Sequence, residues 1–363
     1  MTTLRCTTIL QCKTYNVRTL AVWRQPMPAA DEEDTVKAFV LRSYGSAELL
    51  ELTDVDEPAP GDDEVLVRVL ATSINPYDWH HMRGQPYIAR LMPGGPGLRG
   101  PKRRILGCDI AGRVEATGQN VTGFSSGDEV FALLPQGGFA EYASVPQHLL
   151  APKPKNLSHE QAAAVPMAAI TALLGLRDAG RLKSGQKVLV TGASGGVGTF
   201  AVQIARALGA DVTAVCSGPN TSLVRSLGAA EVIDYTTTDF TRQEQRHDLL
   251  LDIAGSRRAQ ASRRALKPKG AFVAVGGPAG RWLQPAARIF AALALGPLVS
   301  QRMVMADTVR CTQKKDNLIT LTELIEDGKV TPVIGRTYPF ADIPAAVKYQ
   351  EQGHAQGKVV ITM

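Results

Sequence analysis

A glycine-rich segment between positions 187 and 198, KVLVTGASGGVG, carries the clearest chemical signal in this sequence. An apolar run that reads as a buried strand leads into Gly192, Gly195 and Gly198, and a run with helical periodicity follows. Glycine lets the backbone turn and lets an anion approach the amides, where free N–H groups and the helix dipole attract negative charge. Because strand, glycines and helix occur in this order, the segment predicts a site for the pyrophosphate of a dinucleotide.

The residues after the next strand indicate which dinucleotide would bind. An NAD site usually has an acid at the carboxyl end of the second strand, but Asp211 lies at the amino end of that strand. The carboxyl end continues with small uncharged residues, of which Ser217 and Asn220 can donate hydrogen bonds. A carboxylate there would repel a 2′-phosphate, so its absence favours NADPH over NADH. Arg225 is a candidate cation on the following helix, although most helical arginines of this kind are simply solvated.

Residues 186–276 supply the elements that would position this site, because short apolar runs alternate with amphipathic ones. Strands buried on both faces are typical of a doubly wound parallel sheet. The predicted strands are Lys187–Thr191, Asp211–Cys216, Glu231–Asp234, Leu249–Ile253 and Ala271–Val275, and the predicted helices are Val197–Leu208, Leu223–Leu227 and Ser256–Leu266. A cofactor lies at the carboxyl ends of such strands, which makes Asp252, Ile253, Gly276 and Gly277 candidate contacts.

From position 36 to about position 154 the pattern is one of short strands separated by Gly, Pro and Asp clusters. Glu64–Ala71 and Gly112–Thr117 alternate between polar and apolar residues, as strands do when one face is buried. This pattern predicts a compact β-barrel. The closing run Lys358–Thr362 reads as a further strand that could rejoin the barrel.

Helical patterns mark the boundary between the two regions near Leu157. Ser158 is a candidate N-cap for a helix over Glu160–Leu176, and a later helix is predicted over Asn317–Glu326. We therefore predict an extension over residues 1–35, a barrel domain over 36–156 that is completed by about 330–363, and a dinucleotide-binding domain over 157–329.

Several spaced motifs together resemble the medium-chain dehydrogenase/reductases, in the zinc-free quinone oxidoreductase (zeta-crystallin-like) branch and its reticulon-interacting-protein type. The resemblance covers residues 36–363 and implies an α/β fold, with a GroES-like β-barrel catalytic domain followed by a doubly wound parallel-sheet Rossmann domain. The motifs are SINPYD at positions 73–78, LGCDIAG at 106–112, GFAEY at 138–142, the glycine-rich segment, and GKVV at 357–360.

The resemblance also implies an enzyme without zinc. Zinc-dependent relatives carry metal ligands at three places, which in this chain hold Asn75, Cys108 and the stretch Pro166-Met167-Ala168. A catalytic zinc needs three protein ligands, and a single thiol cannot replace them. The chemistry that remains is hydride delivery from a nicotinamide to an activated acceptor, a quinone or another α,β-unsaturated carbonyl. A zinc-free NADP-dependent alcohol dehydrogenase and an enoyl-thioester reductase are the alternatives.

Residue roles carried over from the family complete the expected site. Asn75 and Tyr77 would line the catalytic cleft, and Tyr87 is a candidate proton donor although it lies one residue later than in related enoyl reductases. His80 and His81 are adjacent and would form the wall or surface. The expected cofactor contacts are Thr171, Gly192, Ser194, Gly195, Gly196, Val197, Gly198, Ser217, Tyr235, Asp252, Ile253, Gly276, Gly277 and Lys358.

Composition bounds the remaining function classes. No apolar run reaches the roughly 18–20 residues of a membrane-spanning helix. The formal net charge is +6, and basic clusters at 99–104 and 257–269 raise a non-enzyme alternative, a nucleic-acid-binding or adaptor protein. Aromatic residues make up only 6% and do not interleave with these clusters, which argues against nucleic acid as a partner. The apolar segment Trp282–Val299 suggests a lipophilic substrate, and the family implies a homodimer.

Cysteine usage and the first 35 residues bear on localisation. The five cysteines are odd in number and scattered, which argues against a disulfide framework and predicts a reducing compartment, the cytoplasm. Residues 1–35 are basic before Asp31 and allow two interpretations, an extension without defined structure or an organelle transit peptide. We favour the first, because a transit peptide is more evenly amphipathic and richer in arginine; the second would make the protein mitochondrial.

Overall fold

The computed structural model describes residues 35–91, 95–277, 280–282 and 286–363. The predicted extension over residues 1–35 lies, apart from Thr35, outside this part of the chain. Among the described residues no helix has the length and apolar character needed to cross a lipid bilayer.

The strands and helices that the sequence patterns predicted occur in the predicted order, together with further elements that the patterns did not indicate. The strands are β1 Thr35–Leu41, β2 Leu50–Asp56, β3 Glu64–Ile74, β4 Asp109–Thr117, β5 Glu129–Leu133, β6 Tyr142–Pro146, β7 Leu150–Pro152, β8 Lys187–Thr191, β9 Asp211–Cys216, β10 Glu231–Asp234, β11 His247–Asp252, β12 Leu266–Ala274, β13 Arg302–Met305, β14 Ile334–Pro339 and β15 Lys358–Thr362. The α-helices are α1 Pro76–Arg83, α2 His159–Ala163, α3 Pro166–Leu173, α4 Gly196–Ala207, α5 Thr221–Ser226, α6 Ala259–Ser262, α7 Ala286–Leu295, α8 Lys314–Glu326 and α9 Ile343–Glu351.

The first and last parts of the chain share one seven-stranded sheet, in the order β14-β15-β3-β4-β5-β7 with β6 paired to β3. Val65, Val67 and Val69 of β3 are fully or almost fully buried, which is the alternation that predicted a barrel strand. The last strand, β15, pairs antiparallel with β3 and places Val359 opposite Ile74. The end of the chain therefore lies in the barrel sheet.

The middle of the chain forms a six-stranded parallel sheet in the order β10-β9-β8-β11-β12-β13. The bounds of β8, β9 and β10 agree with the sequence prediction, and Leu189, Leu250 and Phe272 are completely or almost completely buried in its core. Strand order reverses between β8 and β11, so the crevice for a ligand lies at their carboxyl ends. The predicted Rossmann architecture is confirmed.

Two helix predictions were wrong in their extent. Ser158 does cap a helix, since its Oγ accepts a hydrogen bond from the Gln161 amide at 3.2 Å. That helix ends at Ala163, however, and α3 begins at Pro166, because proline has no N–H to continue a helix and suits a first turn. A π-helical turn then continues from Leu174 to Ala179.

The predicted helix over Ser256–Leu266 is α-helical only in α6, and β12 already begins at Leu266. Leu266 is buried against the sheet, so tertiary packing overrides the local helical pattern there. In the apolar segment Trp282–Val299, α7 forms over Ala286–Leu295, and positions 283–285 lie outside the described residues.

Candidate active site and nucleotide-binding loop

The glycine-rich segment forms a sharp turn from β8 into α4. Gly192 has a φ of +68°, and a Cβ on Gly198 would lie 2.1 Å from the Gly192 carbonyl oxygen, so side chains are excluded at both positions. A Cβ on Gly195 would meet only that oxygen, at 3.5 Å, which leaves its side open. The amides of Gly196 and Val197 donate to no group among the described residues. These free donors at a helix N-terminus fit the pyrophosphate of a dinucleotide.

The last strand of the barrel is attached directly to this loop. The Gly357 amide donates to the Ser194 carbonyl oxygen at 2.8 Å, and Gly357 also forms a parallel β-bridge with Gly195. The Lys358 side chain lies against the start of α4, where a Cβ on Gly196 would be 3.0 Å from its Cδ. The position of the loop is therefore coupled to the barrel through β15.

Three neutral polar side chains meet at the predicted adenosine end of the crevice. Asn220 donates from Nδ2 to the Oγ atoms of Ser194 and Ser217, both at 3.1 Å. Tyr235 directly follows β10 and is 52% exposed, so its ring is accessible to a ligand. This arrangement offers hydrogen-bond donors and acceptors to a ribose or a phosphate.

Asp234 is the last residue of β10 and places an acid near the adenosine end of the crevice, which the sequence patterns did not indicate. Its Oδ1 accepts hydrogen bonds from the Thr236 amide at 2.9 Å and from the Thr236 hydroxyl at 2.7 Å. Its Oδ2 would lie 2.8 Å from a Cβ on Gly218, next to Ser217. The pKa of Asp234 is lowered, mainly by the hydrogen bond from the Thr236 hydroxyl. Asp234 therefore carries a negative charge close to the adenosine end.

Below the cleft, five side chains form what we call the buried polar cluster. Lys358 donates from Nζ to Asn75 Oδ1 at 2.6 Å and to Asp109 Oδ2 at 3.1 Å. Asp109 Oδ2 also accepts from Asn75 Nδ2 at 2.8 Å and from the Ser73 hydroxyl at 2.7 Å, and Asn75 Nδ2 lies 3.3 Å from the sulfur of Cys108. None of the five is more than 3% exposed. A buried ion pair with this many hydrogen bonds satisfies its charges internally.

The donor chemistry of this cluster does not fit a zinc ion. The ammonium group of Lys358 already occupies the space between Asn75 and Asp109, where a dication would be repelled. Burial, followed by the charges of Asp78 and Asp109, raises the pKa of the Cys108 thiol well above its ordinary value, whereas a zinc ligand must be a thiolate. Among the described residues no group of three or more His, Cys, Asp and Glu side chains is arranged to hold a metal ion.

Helix α1 begins at this cluster, and its residues Tyr77 and His81 line the cleft. Asn75 is its N-cap, and Asp78 Oδ2 accepts from the Asn75 amide at 2.8 Å in a capping box. Asp78 Oδ1 is buried and has no partner among the described residues. Burial raises the pKa of Asp78 to about 7, so this brace carries a proton over much of the acidic range.

The cleft itself is a cavity of about 320 Å³ in which, among the described residues, Tyr77 is the one neutral side chain with an uncommitted donor. The Tyr77 hydroxyl makes no hydrogen bond among the described residues, and burial raises its pKa to about 12, so it keeps its proton at neutral pH. His81 Nδ1 lies 3.0 Å from the Tyr77 carbonyl oxygen, which can only accept. Nδ1 therefore carries the hydrogen, and since burial lowers the pKa of His81, its Nε2 is left as an acceptor.

The walls of the cleft are mostly apolar, and the hydroxyls among them are occupied. Thr171 Oγ1 donates to the Met167 carbonyl oxygen at 2.6 Å, so Thr308 is the donor in the 2.8 Å bond between the two threonine hydroxyls. Asp109 Oδ1 accepts from the Met167 amide at 2.8 Å and so fixes the start of α3 to the buried polar cluster. The lining residues also include three cations, Lys102, Arg103 and Lys314.

Some predicted site residues lie apart from the cleft. Tyr87 packs edge to face on Trp282 with ring centroids 5.0 Å apart and contacts the Arg90 guanidinium, and it does not line the cavity. Asn75 is 3% exposed and acts behind the cavity wall rather than in it. Its predicted role at the reacting centre and that of Tyr87 stay predictions.

The ends of β11 and β12 lie at the crevice as expected, but Asp252 is occupied internally. Its carboxylate is 2% exposed and accepts hydrogen bonds from Thr191 Oγ1 at 2.7 Å and from Arg288 at 3.2 Å. We therefore assign Asp252 to bracing the strand end. Ile253 and Gly276 lie in contact, since a Cβ on Gly276 would be 2.9 Å from the Ile253 carbonyl oxygen.

Sequence reasoning missed Asp109, Arg103 and Lys314 as site residues. Asp109 had a readable signal, because it begins β4 directly before the apolar residues Ile110 and Ala111, and a charged residue must find a partner when buried. Arg103 and Lys314 are more than 200 positions apart, and no local pattern links them to one cavity.

Comparison with known proteins agrees with this architecture. A family model for the alcohol dehydrogenase GroES-like domain matches residues 61–155, and one for zinc-binding dehydrogenases matches residues 227–361. The Bos taurus protein named "NAD(P)H oxidoreductase RTN4IP1, mitochondrial" is 34% identical, over 99% of this chain and 96% of that protein. The Arabidopsis thaliana "Chloroplast envelope quinone oxidoreductase homolog" is 33% identical, over 89% of this chain and 97% of its own length. The solved structure of the quinone oxidoreductase from Coxiella burnetii has a TM-score of 0.78 at 27% identity and covers 91% of this chain and 99% of its own.

Proposed function

This chain belongs to the medium-chain dehydrogenase/reductases, in the branch of the quinone oxidoreductases and RTN4IP1-type NAD(P)H oxidoreductases, and from that membership we propose a specific reaction. The enzyme transfers a hydride from NADPH to a quinone or another α,β-unsaturated carbonyl acceptor, without zinc. The observation that carries the proposal is Tyr77, an uncommitted hydroxyl donor in a cleft whose other neutral polar groups are occupied.

The glycine-rich segment supplies the binding half of the site. The amides of Gly196 and Val197 are free to hold a pyrophosphate, and the open side of Gly195 gives it room. When bound, the reduced nicotinamide supplies the hydride, which leaves the acceptor carbonyl oxygen with developing negative charge. The hydroxyls of Ser194 and Ser217 accept from Asn220 and so remain free to donate to the 2′-phosphate that distinguishes NADPH.

Tyr77 supplies the catalytic half of the site. Its hydroxyl donates a hydrogen bond to the acceptor carbonyl oxygen and stabilises the charge that develops there. Because the pKa of Tyr77 is about 12, the hydroxyl stabilises the oxyanion without first losing its proton. His81 cannot take this part, since its Nε2 is an acceptor. The apolar wall formed by Leu133 and Met167 excludes water from the reacting atoms.

Zinc independence is supported by the chemistry of the buried polar cluster. Its space is filled by the Lys358 ammonium, and its one thiol has a raised pKa. We expect dialysis against a strong chelator to leave NADPH oxidation unchanged, and metal analysis of the purified protein to give far less than one zinc per chain. A loss of activity on chelation that added zinc restores would overturn this part of the proposal.

Steady-state kinetics test the reaction itself. The purified protein should oxidise NADPH in the presence of 1,4-benzoquinone and of 4-phenyl-3-buten-2-one. The organic product of the second should be the saturated ketone, formed by hydride addition at the β-carbon and uptake of a proton from water at the α-carbon. Simple aldehydes and ketones should not serve, because the reaction needs a conjugated carbon to accept the hydride. Failure to bind NADPH would overturn the proposal, and NADP-dependent oxidation of alcohols would favour the alcohol dehydrogenase alternative.

The compartment is a separate proposal. The expectation of a cytoplasmic protein finds no support, whereas relatives that align over nearly the whole chain are named mitochondrial. These names favour the alternative in which residues 1–35 act as a transit peptide. Fusing those residues to a fluorescent protein and imaging its localisation in cells tests this, and a diffuse signal would contradict it.

A further inference from the structure

We propose that the physiological acceptor of this enzyme carries an anionic group, such as a carboxylate, which binds a basic rim on the cleft formed by Lys102, Arg103 and Lys314. The inference rests on the proposed function, because it takes the cleft to be the acceptor site. It adds the charge of the substrate, which neither the family nor the glycine-rich segment specifies.

The three cations come from distant parts of the chain and share one cavity with Tyr77. Lys102 and Arg103 belong to the loop between α1 and β4, and Lys314 is the first residue of α8. All three line the same 320 Å³ cavity as Tyr77 and Met167. The cavity therefore places positive charge and a hydroxyl donor in reach of one bound molecule.

The loop that carries Lys102 and Arg103 is held in place by hydrogen bonds of its own. The Lys102 amide donates to the Pro96 carbonyl oxygen at 2.8 Å. The Tyr44 hydroxyl lies 2.7 Å from the Gly97 carbonyl oxygen and 3.0 Å from that of Gly100. The backbone around the basic rim is thus fixed to the barrel before any ligand arrives, which favours a binding role over an accidental approach of surface side chains.

No acid of the described residues neutralises these cations. In the part of the chain that the structure describes, the cavity lining includes no Asp or Glu, and none of the ion pairs within 4.0 Å involves Lys102, Arg103 or Lys314. Asp109 lies behind the wall but is occupied by Lys358. Asp307, near Lys314 in sequence, is paired with Arg310 at 3.8 Å.

The charge of Arg103 reaches other groups of the cleft. Lys314 is half-buried, and its pKa is lowered first by burial and also by the charge of Arg103. The same charge acts on Tyr77 and His81. Positive charge gathered at a cavity favours the binding of an anion there.

The rest of the lining describes the body of the acceptor. Apart from Tyr77 and the basic rim, the lining includes the apolar side chains of Leu133, Leu134 and Val309. An acceptor that uses all of these groups has a conjugated carbonyl for Tyr77, an apolar body, and an anionic group for the rim. A neutral quinone would leave the three cations without a partner.

A matched pair of acceptors tests the proposal. The probes are 4-phenyl-3-buten-2-one with a para carboxylate and the methyl ester of the same acid, assayed at saturating NADPH. We expect the ratio of kcat/KM for the acid to that for the ester to fall about threefold in Arg103→Gln and in Lys314→Gln, and about tenfold in the double variant, as for partly exposed ion pairs. The two probes differ in intrinsic reactivity, and this difference cancels when the ratio is compared between variants.

Neighbouring cations that do not line the cavity provide the controls. Arg104→Gln and Lys315→Gln remove the same charge one residue away and should leave the ratio unchanged. Raising the ionic strength should lower kcat/KM for the acid and not for the ester. In a separate binding experiment, calorimetry with NADP⁺ present should show that the saturated acid product binds more tightly than its ester, and that the double variant loses this difference.

The outcomes separate this inference from the proposed function. Oxidation of NADPH by both probes with a ratio that the variants and salt do not change would overturn the inference and leave the reaction standing. A rise in the KM for NADPH in Arg103→Gln or Lys314→Gln, with the ratio unchanged, would assign the rim to the cofactor and also overturn it. No NADPH oxidation by either probe, together with no selective binding of the acid, would overturn both.

Discussion

The side chains of this site have two different roles: one is free to donate a hydrogen bond into the cleft, and others hold the site in place. Tyr77 is exposed to the cleft and has a free hydroxyl, whereas Asn75, Asp109 and Lys358 bind one another beneath it. The resemblance to relatives placed Asn75, Tyr77 and Tyr87 together, and the structure places only Tyr77 on the cavity. Sequence motifs locate a segment in the cleft, but the direction of each side chain depends on the helix that carries it.

Tyr77→Phe tests the donor at the residue scale. We expect kcat to fall about 100-fold with quinone or enone acceptors, the size of effect seen when one oxyanion donor is removed. The KM for NADPH should stay the same, because the phenyl ring keeps the cavity wall. Steady-state kinetics at saturating cofactor measure both quantities.

Tyr87→Phe is the matched control for that substitution. The Tyr87 ring packs on Trp282 outside the cavity, so we expect its loss of hydroxyl to change kcat by less than about twofold. A large loss in Tyr87→Phe with little effect in Tyr77→Phe would reverse the assignment of the donor.

Asn220→Asp tests the choice of cofactor at the same scale. The substitution places a carboxylate between Ser194 and Ser217, where it would repel a 2′-phosphate and could accept from ribose hydroxyls. We expect the ratio of kcat/KM for NADPH to that for NADH to fall by about tenfold or more. A ratio that does not change would mean that the 2′-phosphate binds elsewhere.

Helix and strand ends position these side chains at the scale of elements. The turn from β8 into α4 exposes free amides because Gly192 and Gly198 admit no side chain, and α1 is oriented by its capping box at Asn75 and Asp78. Both devices are local and were visible as motifs. The buried carboxyl of Asp78 adds a pH dependence that the motif did not reveal.

Asp78→Asn tests that pH dependence. In the folded protein Asp78 keeps its proton up to a pKa of about 7, whereas in the unfolded chain it releases it near 3.8. Its contribution to stability is therefore full below about pH 4 and is lost as the pH rises through about 7. Asparagine cannot ionise, so the stability of the variant should rise relative to that of the wild type between about pH 4 and pH 7 and stay constant above that range. Urea unfolding midpoints at several pH values measure this, and parallel curves for the two proteins would contradict it.

At the scale of the whole molecule, β15 joins the two sheets. It pairs with β3 in the barrel. Gly357, the residue just before β15, donates a hydrogen bond to the glycine-rich loop. Lys358 neutralises Asp109, which lies far away in the chain. Catalytic cleft and nucleotide loop are therefore held in one geometry by the last few residues. This coupling is why the chain end, which contributes no group to the cavity lining, matters to the site.

Lys358→Met tests the coupling. It leaves Asp109 buried without its counter-ion, which should lower the free energy of unfolding by about 3–5 kcal/mol. Adding Asp109→Asn should recover part of this loss, since the two side chains contact each other. Lys348→Met is the control, because Lys348 pairs with Glu48 at an exposed position, and we expect a change below about 1 kcal/mol. Equal effects of the two lysine substitutions would contradict the coupling.

The sequence by itself determined the strands of the parallel sheet, the glycine-rich turn and the existence of the last strand, because each depends on residues that are neighbours in the chain. The bounds of β8, β9, β10 and β15 followed from apolar runs alone. Only the tertiary structure decided that Lys358 meets Asn75 and Asp109, that Tyr87 faces away, and that Arg103 and Lys314 share the cleft with Tyr77. Periodicity and turn chemistry act over a few residues, whereas contacts between residues hundreds of positions apart are set by how the elements pack.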